Sequence, residues 1–347
     1  MKKALYTLTV NVAVLLLLLL AVEMVTRLVV PRENVQAIFN DETLRTRGRP
    51  FIVPASARGF RLKPGFTSSL YRINQDGFRG EELSDTPDNN IQILTLGEST
   101  TFGWGVGENE TYPYLLMQAF DPGENVQVIN GGVPSYTSSQ TLAYLQEILT
   151  DSVLNPQWIL INILWNDIWY STITNWHPDI LVYQKPPGWI SWITGHSRLA
   201  RILIMGAGSR EKPVDIFNPD ALEQYEKNIE EMILFCKEKK VRLAFVSPPF
   251  DADHMPEEGL NEFHVRYSRS FFVATARRYL EALTHVASRH GVPVFSHGVD
   301  MRYLHQKSLF LDALHPTPRG NEIMARDVYA KLLPLLGETH SKGIDLP

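Results

Sequence analysis

Four short segments of the chain carry the residue types that acyl transfer through a serine requires. They are "GEST" at residues 97–100, "NGGVPSYTSS" at 130–139, "LWND" at 164–167 and "DALHP" at 312–316. Such a reaction needs a nucleophile, a base, a group that orients the base, and donors that stabilise the oxyanion. The four segments contain a serine, a histidine, an aspartate and an asparagine, residue types that can supply all four roles.

Each of these residues also has a simpler interpretation when it is taken alone. A serine at a strand-to-helix turn is typical of a helix N-cap, and an aspartate or asparagine often bonds a local turn. The three-residue spacing of Asp312 and His315 lets both side chains point into one cleft, where a carboxylate can hold an imidazole in the required tautomer. The four segments together therefore indicate a catalytic site more strongly than any one of them does.

The pattern of the surrounding residues predicts strands that alternate with helices. Short apolar runs predict strands at 91–96, 125–130, 156–164, 241–249 and 292–297. Helical spacing predicts helices at 112–120, 138–150, 219–240 and about 263–290. This alternation predicts an α/β fold with a parallel sheet, whose ligands bind beyond the carboxyl ends of the strands. Three of the four segments directly follow a predicted strand, and the fourth precedes the last helix.

The chain resembles the SGNH or GDSL-type serine hydrolases, whose blocks read approximately GDS, NxGxxG, GxND and DxxHP in that order. The resemblance covers about residues 91–336. It implies a flavodoxin-like three-layer sandwich with a central parallel sheet. It also implies that Ser99 is the nucleophile, His315 the general base and Asp312 its orienting partner. The oxyanion donors implied by the resemblance are the backbone N–H groups of Ser99 and Ser135 and the side chain of Asn166.

Three positions depart from the family pattern. Glu98 replaces the usual aspartate before the nucleophile, which preserves the charge and changes its reach. Ser135 stands where a glycine is expected, so its backbone N–H serves as a donor only if serine tolerates the local φ and ψ. Leu164 replaces a glycine beside Asn166 and is expected to narrow the site. None of these changes removes a catalytic atom.

Tryptophan is concentrated near the candidate site. Trp104 follows the serine segment, and six others lie in one short region: Trp158, Trp165, Trp169, Trp176, Trp189 and Trp192. Aromatic rings stack on sugar rings, and we assign Trp104, Trp165 and Trp169 to substrate binding because they adjoin the site segments. Two alternatives remain open: core packing of these residues, and contact of the segment "PPGWISWITGHSRLARIL" with a membrane interface.

Composition limits the ligands of this protein. The formal net charge of -5, without a long basic run, argues against nucleic acid as a partner. The single cysteine, Cys236, forms no internal disulfide, and no Cys/His spacing suggests zinc. His254 and His264 do not have the spacing of a helical ligand pair and are interpreted as surface residues. We therefore expect a small-molecule or glycan ester as substrate, and neither a metal nor an organic cofactor.

The first 30 residues have the properties of a membrane anchor. Lys2 and Lys3 precede a stretch without charge from Ala4 to Val22, which is about long enough to span a bilayer. We favour an uncleaved anchor over a cleaved signal peptide because no small-residue cleavage site is evident. The positive charge before the span predicts that the remaining chain is exported as a single-pass protein. The predicted division is an anchor at 1–30, a loop-rich stalk or cap at 31–90 and a catalytic domain at 91–340.

These observations predict a membrane-anchored serine esterase that removes acyl groups, with acetyl preferred, from a carbohydrate or other small ester. Two alternatives stay open. An O-acyltransferase would pass the same acyl group to a polysaccharide hydroxyl, and a non-catalytic protein of this fold would only bind glycans. The sequence does not identify the acyl chain, the alcohol or the oligomeric state.

Overall fold

The structure of the chain is a computed structural model, and it describes about two thirds of the residues. The described residues are 2–29, 51–55, 57–83, 91–121, 125–151, 154–171, 197, 199, 215–249, 268–296, 309–312 and 314–341. The strands are β1 (Ile52–Ala55), β2 (Gly59–Leu62), β3 (Ile91–Gly97), β4 (Val126–Gly132), β5 (Trp158–Asn162), β6 (Arg242–Val246) and β7 (Val294–Phe295). The helices are α1 (Lys2–Val29), α2 (Ser99–Phe102), α3 (Tyr112–Gln118), α4 (Ser138–Asp151), α5 (Trp165–Tyr170), α6 (Pro219–Glu238), α7 (Arg269–Arg289) and α8 (Pro318–Ser341).

Five of the described strands form one parallel sheet in the order β4-β3-β5-β6-β7. At its carboxyl edge, Gly97 of β3 lies opposite Gly132 of β4 and Asn162 of β5. Strands β3 and β5 consist almost entirely of buried residues, as expected for strands covered on both faces. The predicted α/β sandwich with a central parallel sheet is confirmed.

Helices cover both faces of the sheet. On one face, apolar side chains of α4, α6 and α7 pack on Ile159, Ile161 and Phe245. On the other face, side chains of α3 and α8 pack on Leu160 and Val246. Each strand therefore alternates its side chains between two separate apolar clusters, which gives the three-layer arrangement.

The long helices begin where their sequences provide caps. Asn218 accepts hydrogen bonds from the backbone N–H groups of Asp220 and Ala221 at the start of α6, with Pro219 in the first turn. Ser268 accepts from the N–H of Phe271 at the start of α7. In the described part of the chain this helix begins at Arg269, and the start predicted at about residue 263 lies outside the described residues.

Strand β7 is shorter than the five or six residues that its apolar run predicts. It contains only Val294 and Phe295 and lies at the edge of the sheet. Pro293, directly before it, has no N–H to donate, although its carbonyl accepts from the N–H of Phe245. Proline at the start of an edge strand limits pairing in this way.

Residues 51–83 pack against the same core as the sheet. β1 and β2 form an antiparallel hairpin, and aromatic residues from this segment enter the main apolar cluster. The phenyl ring of Phe51 lies 5.7 Å from that of Phe102 in α2, and the ring of Phe60 lies 5.2 Å from that of Tyr136. The sequence left open whether this segment is a separate unit; its described part shares the core of the sheet.

Helix α1 includes one candidate membrane span, Thr9–Leu28, with a mean hydropathy of 2.3 and no burial against the protein. Its length and composition suit either a membrane anchor or a signal sequence. Near its end, the Glu23 carboxylate accepts hydrogen bonds from the Ser197 hydroxyl and the Leu199 N–H, at 2.8 and 2.9 Å.

Cys236 lies at the inner face of α6, with 1% of its surface exposed. Burial raises the pKa of its thiol to about 12. The thiol is therefore protonated at neutral pH and is packed as a small apolar group.

Candidate active site

The candidate nucleophile stands on a sharp turn at the carboxyl end of β3. Gly97 has φ +150°, and a Cβ added to it would lie 2.1 Å from the carbonyl oxygen of Asn162. Glycine is therefore required before the turn. Ser99 is the first residue of α2, so its backbone N–H has no acceptor within the helix. The tight turn presents both the Ser99 hydroxyl and this N–H at the edge of the sheet.

Ser99, His315 and Asp312 form one hydrogen-bonded chain. The Nε2 of His315 lies 2.8 Å from the Oγ of Ser99, and its Nδ1 lies 2.7 Å from the Oδ2 of Asp312. The other carboxylate oxygen of Asp312 accepts from the N–H groups of Leu314 and His315, both at 2.8 Å. The loop thus holds the carboxylate rigidly, and the carboxylate fixes the orientation of the imidazole.

The charge of Asp312 is favoured in spite of its burial. Burial alone would raise its pKa, but the positive charge of protonated His315 and the hydrogen bonds from His315 and Leu314 hold the pKa of Asp312 below its usual range. Asp312 is therefore ionised at neutral pH and can stabilise an imidazolium. In this geometry, the Nε2 of His315 can accept the proton of the Ser99 hydroxyl.

Glu98 connects the nucleophile turn to the start of α5. Its carboxylate accepts from the backbone N–H groups of Trp165 and Asn166, at 2.9 and 3.0 Å, and from that of Leu164 at 3.3 Å. Burial raises the pKa of Glu98 to about 8, and these donors limit the rise. The extra methylene of glutamate provides the reach for these contacts, which hold α5 beside Ser99.

The amide of Asn166 is already engaged inside the protein. Its Nδ2 donates to Glu98 Oε2 at 2.6 Å and to the carbonyl oxygen of Tyr136 at 3.0 Å. Both amide hydrogens thus have acceptors. For Asn166 to donate to an oxyanion, as the family resemblance implies, the bond to Tyr136 has to be exchanged for one to the substrate.

Ser135 adopts the backbone conformation that favours glycine, with φ +70°. A side chain in this left-handed region costs about 1–2 kcal/mol. Among the described residues, its backbone N–H makes no hydrogen bond, as is also the case for Ser99. Serine thus adopts the required φ at this position. Its backbone N–H can donate a hydrogen bond to an acceptor that is not one of the described residues.

The predicted tryptophans lie in different environments. Trp104 is partly buried, and its ring lies 6.4 Å from the His315 ring. Trp165 is 3% exposed and stacks on Phe272 of α7 at 5.7 Å, which places it in the core instead of on a surface that faces a ligand. Trp169 is also packed against the core. Trp104 is thus the predicted substrate-binding tryptophan whose ring lies beside the hydrogen-bonded chain of Ser99, His315 and Asp312.

Two other positions in the third segment, Asp167 and Leu164, have structural roles. Asp167 accepts from the N–H of Ser138 at 2.9 Å and from its hydroxyl, so it holds the start of α4. Leu164 is fully buried in the main cluster. Its side chain therefore fills the core instead of narrowing the site.

Several predicted positions lie outside the described residues. These are His254, His264, Trp176, Trp189 and Trp192. Among the residues that are described, no group of three or more histidine, cysteine, aspartate or glutamate side chains is arranged to hold a metal ion.

Arg79 and Tyr71 are contacts of the site that sequence reasoning missed. The Arg79 guanidinium donates to the carbonyl groups of Phe102, Gly103 and Val106, and the Tyr71 hydroxyl accepts from the N–H of Gly105. The sequence "GFRG" indicates the fixed turn at Gly77 and Gly80, both of which have positive φ. It contains no signal that its arginine reaches a loop more than 20 residues later.

Comparison of the sequence with protein families gives one match. The chain matches the GDSL-like Lipase/Acylhydrolase family over residues 95–323, which is more than half of its length. The match begins two residues before Gly97 and includes all three members of the hydrogen-bonded chain. No curated protein matches the sequence.

Solved structures with a similar fold are esterases or hydrolases of low sequence identity. An alpha/beta hydrolase from the metagenome of Lake Arreo is 18% identical, with a TM-score of 0.46, covering 71% of this chain and 97% of that one. The psychrotrophic esterase EstA from Pseudoalteromonas sp. is 15% identical, with a TM-score of 0.44, covering 72% and 100%. A variant of an acetyl xylan esterase from Geobacillus stearothermophilus is 16% identical, with a TM-score of 0.44, covering 70% and 94%.

Proposed function

Because the chain belongs to the GDSL-like lipase/acylhydrolase family, we propose that it hydrolyses carboxylic esters through Ser99, His315 and Asp312. The single observation that supports this proposal most is the hydrogen-bonded chain of these residues, with distances of 2.8 and 2.7 Å. It has the geometry of a nucleophile, a base and a group that orients the base.

In the proposed reaction, the Ser99 oxygen attacks the ester carbonyl while the Nε2 of His315 takes the hydroxyl proton. Asp312 stabilises the resulting imidazolium. The tetrahedral intermediate collapses when His315 returns this proton to the leaving alcohol, which leaves an acyl group on Ser99. Water then attacks the acyl carbonyl as His315 accepts its proton. His315 returns this proton to the Ser99 oxygen when the bond between Ser99 and the acyl carbon breaks, which releases the carboxylic acid and regenerates the Ser99 hydroxyl.

We assign the stabilisation of the oxyanion to the backbone N–H groups of Ser99 and Ser135. Two such donors are sufficient to lower the barrier by several kcal/mol in a preorganised site. Asn166 becomes the third donor when the substrate oxygen replaces the carbonyl of Tyr136 as its acceptor. This exchange supports a site that is completed only when substrate binds.

The proposed substrate is a short-chain ester of a sugar, with acetyl as the acyl group. Trp104 supports a sugar as the alcohol, since its ring lies beside His315 and offers an apolar face for stacking. The proposed location is the exported side of a membrane, with α1 as the anchor. The contact of Glu23 with Ser197 and Leu199 supports retention of α1 in the mature protein.

The test is active-site labelling of the chain from residue 35 onward with a fluorophosphonate probe, mapped by mass spectrometry. We expect an adduct at Ser99, none at this position in Ser99→Ala, and labelling at least about 100-fold slower in His315→Ala, because the base is lost. Cys236→Ser is the control, since its buried thiol lies outside the site. A folded protein that takes up no probe at Ser99 would refute the proposal.

Turnover of p-nitrophenyl acetate and of acetylated sugars then tests the substrate class. We expect hydrolysis of acetyl esters that is lost in Ser99→Ala. If an added sugar acceptor diverts the acyl group from water, the enzyme is an O-acyltransferase. If glycans bind equally to the parent and to Ser99→Ala, and the parent turns over no ester, the protein is a glycan-binding protein.

A further inference from the structure

The loop that follows the nucleophile helix, residues 103–106, is confined on two sides. Gly103 and Gly105 have φ values of +84° and +80°. A Cβ added to Gly103 would lie 2.5 Å from the Thr111 side chain, and one added to Gly105 would lie 2.6 Å from the Leu311 side chain. The loop therefore needs a conformation that only glycine adopts freely, and its polar backbone groups need partners.

Arg79 supplies the partners for three carbonyl groups. One of its terminal nitrogens donates to the carbonyl oxygens of Phe102 and Gly103, and the other donates to that of Val106 at 2.6 Å. Its backbone N–H is bonded to the carbonyl of Asn130 in β4. Arg79 is 4% exposed, and no carboxylate forms an ion pair with it among the described residues. Both terminal nitrogens of the guanidinium are thus directed at the carbonyl groups of residues 102–106, while its buried Nε makes no hydrogen bond among the described residues.

Tyr71 holds the same loop from the neighbouring position. Its hydroxyl accepts from the N–H of Gly105 at 2.9 Å, and its ring lies beneath the Arg79 guanidinium at 4.7 Å. The ring also lies 6.0 Å from that of Trp104. Two side chains from residues 51–83 therefore fix four backbone groups between positions 102 and 106.

The opposite side of the loop is in contact with the catalytic histidine. The Trp104 ring lies 6.4 Å from the His315 ring, and the Leu311 side chain lies against Gly105. The N–H of Leu311 is in turn bonded to the carbonyl of His315. A movement of the loop is therefore transmitted directly to the imidazole and its supporting turn.

We propose that Arg79 and Tyr71 are positioning residues, which press the 103–106 loop and Trp104 against His315 and so hold the imidazole at Ser99. This inference rests on the proposed function of Ser99 and His315. Both positioning residues precede residue 95, where the family match begins. The segment before the sheet thus completes the active site of this chain.

A second buried arginine in the same segment provides a matched control. Arg58 is 3% exposed and lies 4.0 Å above the Tyr144 ring, as Arg79 lies over Tyr71. It donates to the Tyr136 hydroxyl and to Glu147, and none of its hydrogen bonds among the described residues reaches the 103–106 loop. Removal of either arginine disturbs the packing of the segment, but only removal of Arg79 releases the loop.

The experiment measures the rate of fluorophosphonate inactivation at saturation, kinact, and the half-saturating concentration, KI, for two pairs of variants. Arg79→Lys and Tyr71→Phe release the loop, while Arg58→Lys and Tyr144→Phe are the controls. We expect kinact to fall about tenfold or more in the first pair, because misplacement of a catalytic group by a fraction of an ångström costs rate. KI stays within about twofold, because the binding of the probe is unaffected. Both parameters stay at the parent values in the control pair.

Thermal unfolding of all four variants, followed by tryptophan fluorescence, identifies any loss of fold. Tyr71→Phe is isosteric and keeps the ring packing, so it remains informative even if Arg79→Lys unfolds. Equal kinact values in the two pairs, with all proteins folded, would overturn the positioning role. If the parent protein itself is not labelled at Ser99, the proposed function fails first, and the inference fails with it.

Discussion

At the scale of single residues, Ser135 shows how a departure from the family pattern is accommodated. It occupies a position that favours glycine, and the structure retains the conformation with φ +70° in spite of the serine side chain. The required element is a backbone N–H with a free hydrogen, and this group is the same in every residue except proline. A substitution at position 135 can therefore change the free energy of unfolding without removing the N–H donor.

Ser135→Gly is expected to stabilise the protein by about 1 kcal/mol, because the strain of a Cβ in the left-handed region exceeds the greater flexibility of glycine in the unfolded chain. The measurement is urea unfolding at fixed pH, with Ser135→Ala as the control. Alanine retains the Cβ, so its free energy of unfolding stays within about 0.5 kcal/mol of the parent. A loss of stability in the glycine variant would show that the serine hydroxyl stabilises the turn more than its backbone strains it.

At the scale of elements, one carboxylate connects three helices. Asp167 in α5 accepts from the N–H and hydroxyl of Ser138 at the start of α4, and Asn228 in α6 donates to the same hydroxyl at 2.8 Å. Burial raises the pKa of Asp167 to about 7, against 3.8 in the absence of the fold. Hydrogen bonds from Ser138 limit this rise. Ionisation of Asp167 therefore costs free energy in the packed arrangement of these three helices.

The raised pKa gives stability a definite dependence on pH. Between about pH 4 and 7 the unfolded chain has lost the Asp167 proton while the folded protein still holds it, so the contribution of this group is full below pH 4 and lost as pH rises through 7. The free energy of unfolding of the parent, relative to Asp167→Asn, should fall by about 1.4 kcal/mol per pH unit in this window.

Urea unfolding at several pH values from 4.5 to 8 measures this difference, with the exposed Asp220→Asn as the control variant. The asparagine at 167 keeps an oxygen that accepts from the N–H of Ser138, so the fold is retained. Parallel curves for the parent and Asp167→Asn would mean that Asp167 is ionised throughout, and that its hydrogen bonds outweigh its burial.

The sequence predicts the three members of the hydrogen-bonded chain better than it predicts the contacts that support them. Ser99, His315 and Asp312 are identifiable because the chemistry admits few residue types, and because strands and helices with clear periodicity place them at one edge of the sheet. Asn166 bonds the Glu98 carboxylate, which reaches it because glutamate is one methylene longer than aspartate. Trp165 is buried because α7 packs over it. Such contacts between residues distant in the chain depend on the packed structure and leave no local pattern in the sequence.

At the scale of the whole molecule, the described part of the segment 51–83 belongs to the same folded unit as the sheet. Phe60, Leu62, Tyr71 and Ile73 are each no more than 3% exposed and belong to the main apolar cluster. Full burial of each such side chain contributes about 2 kcal/mol. Their sum is comparable with the entire free energy of unfolding of a typical domain.

Two truncations test this organisation. A chain that starts at residue 35 lacks α1 and is expected to be soluble, folded and labelled by fluorophosphonate, whereas the full-length protein is expected in the membrane fraction after carbonate extraction.

A chain that starts at residue 91, the domain boundary predicted from sequence, is expected to unfold, because it loses this apolar area and the contacts of Arg79. Cooperative urea unfolding of the shorter chain would instead show that the sheet and its helices form an independent domain.

The burial of Cys236 gives the molecule one more property. Alkylating reagents react with thiolates. The only thiol of the chain lies on the buried face of α6 and is protonated at neutral pH. A maleimide dye or nitroxide therefore has no site of attachment in the native protein. A cysteine introduced at an exposed position such as Leu311, which is 49% exposed and lies against Gly105, would be the unique point of attachment. The wild-type chain is thus already the background needed to place a spectroscopic label beside the 103–106 loop.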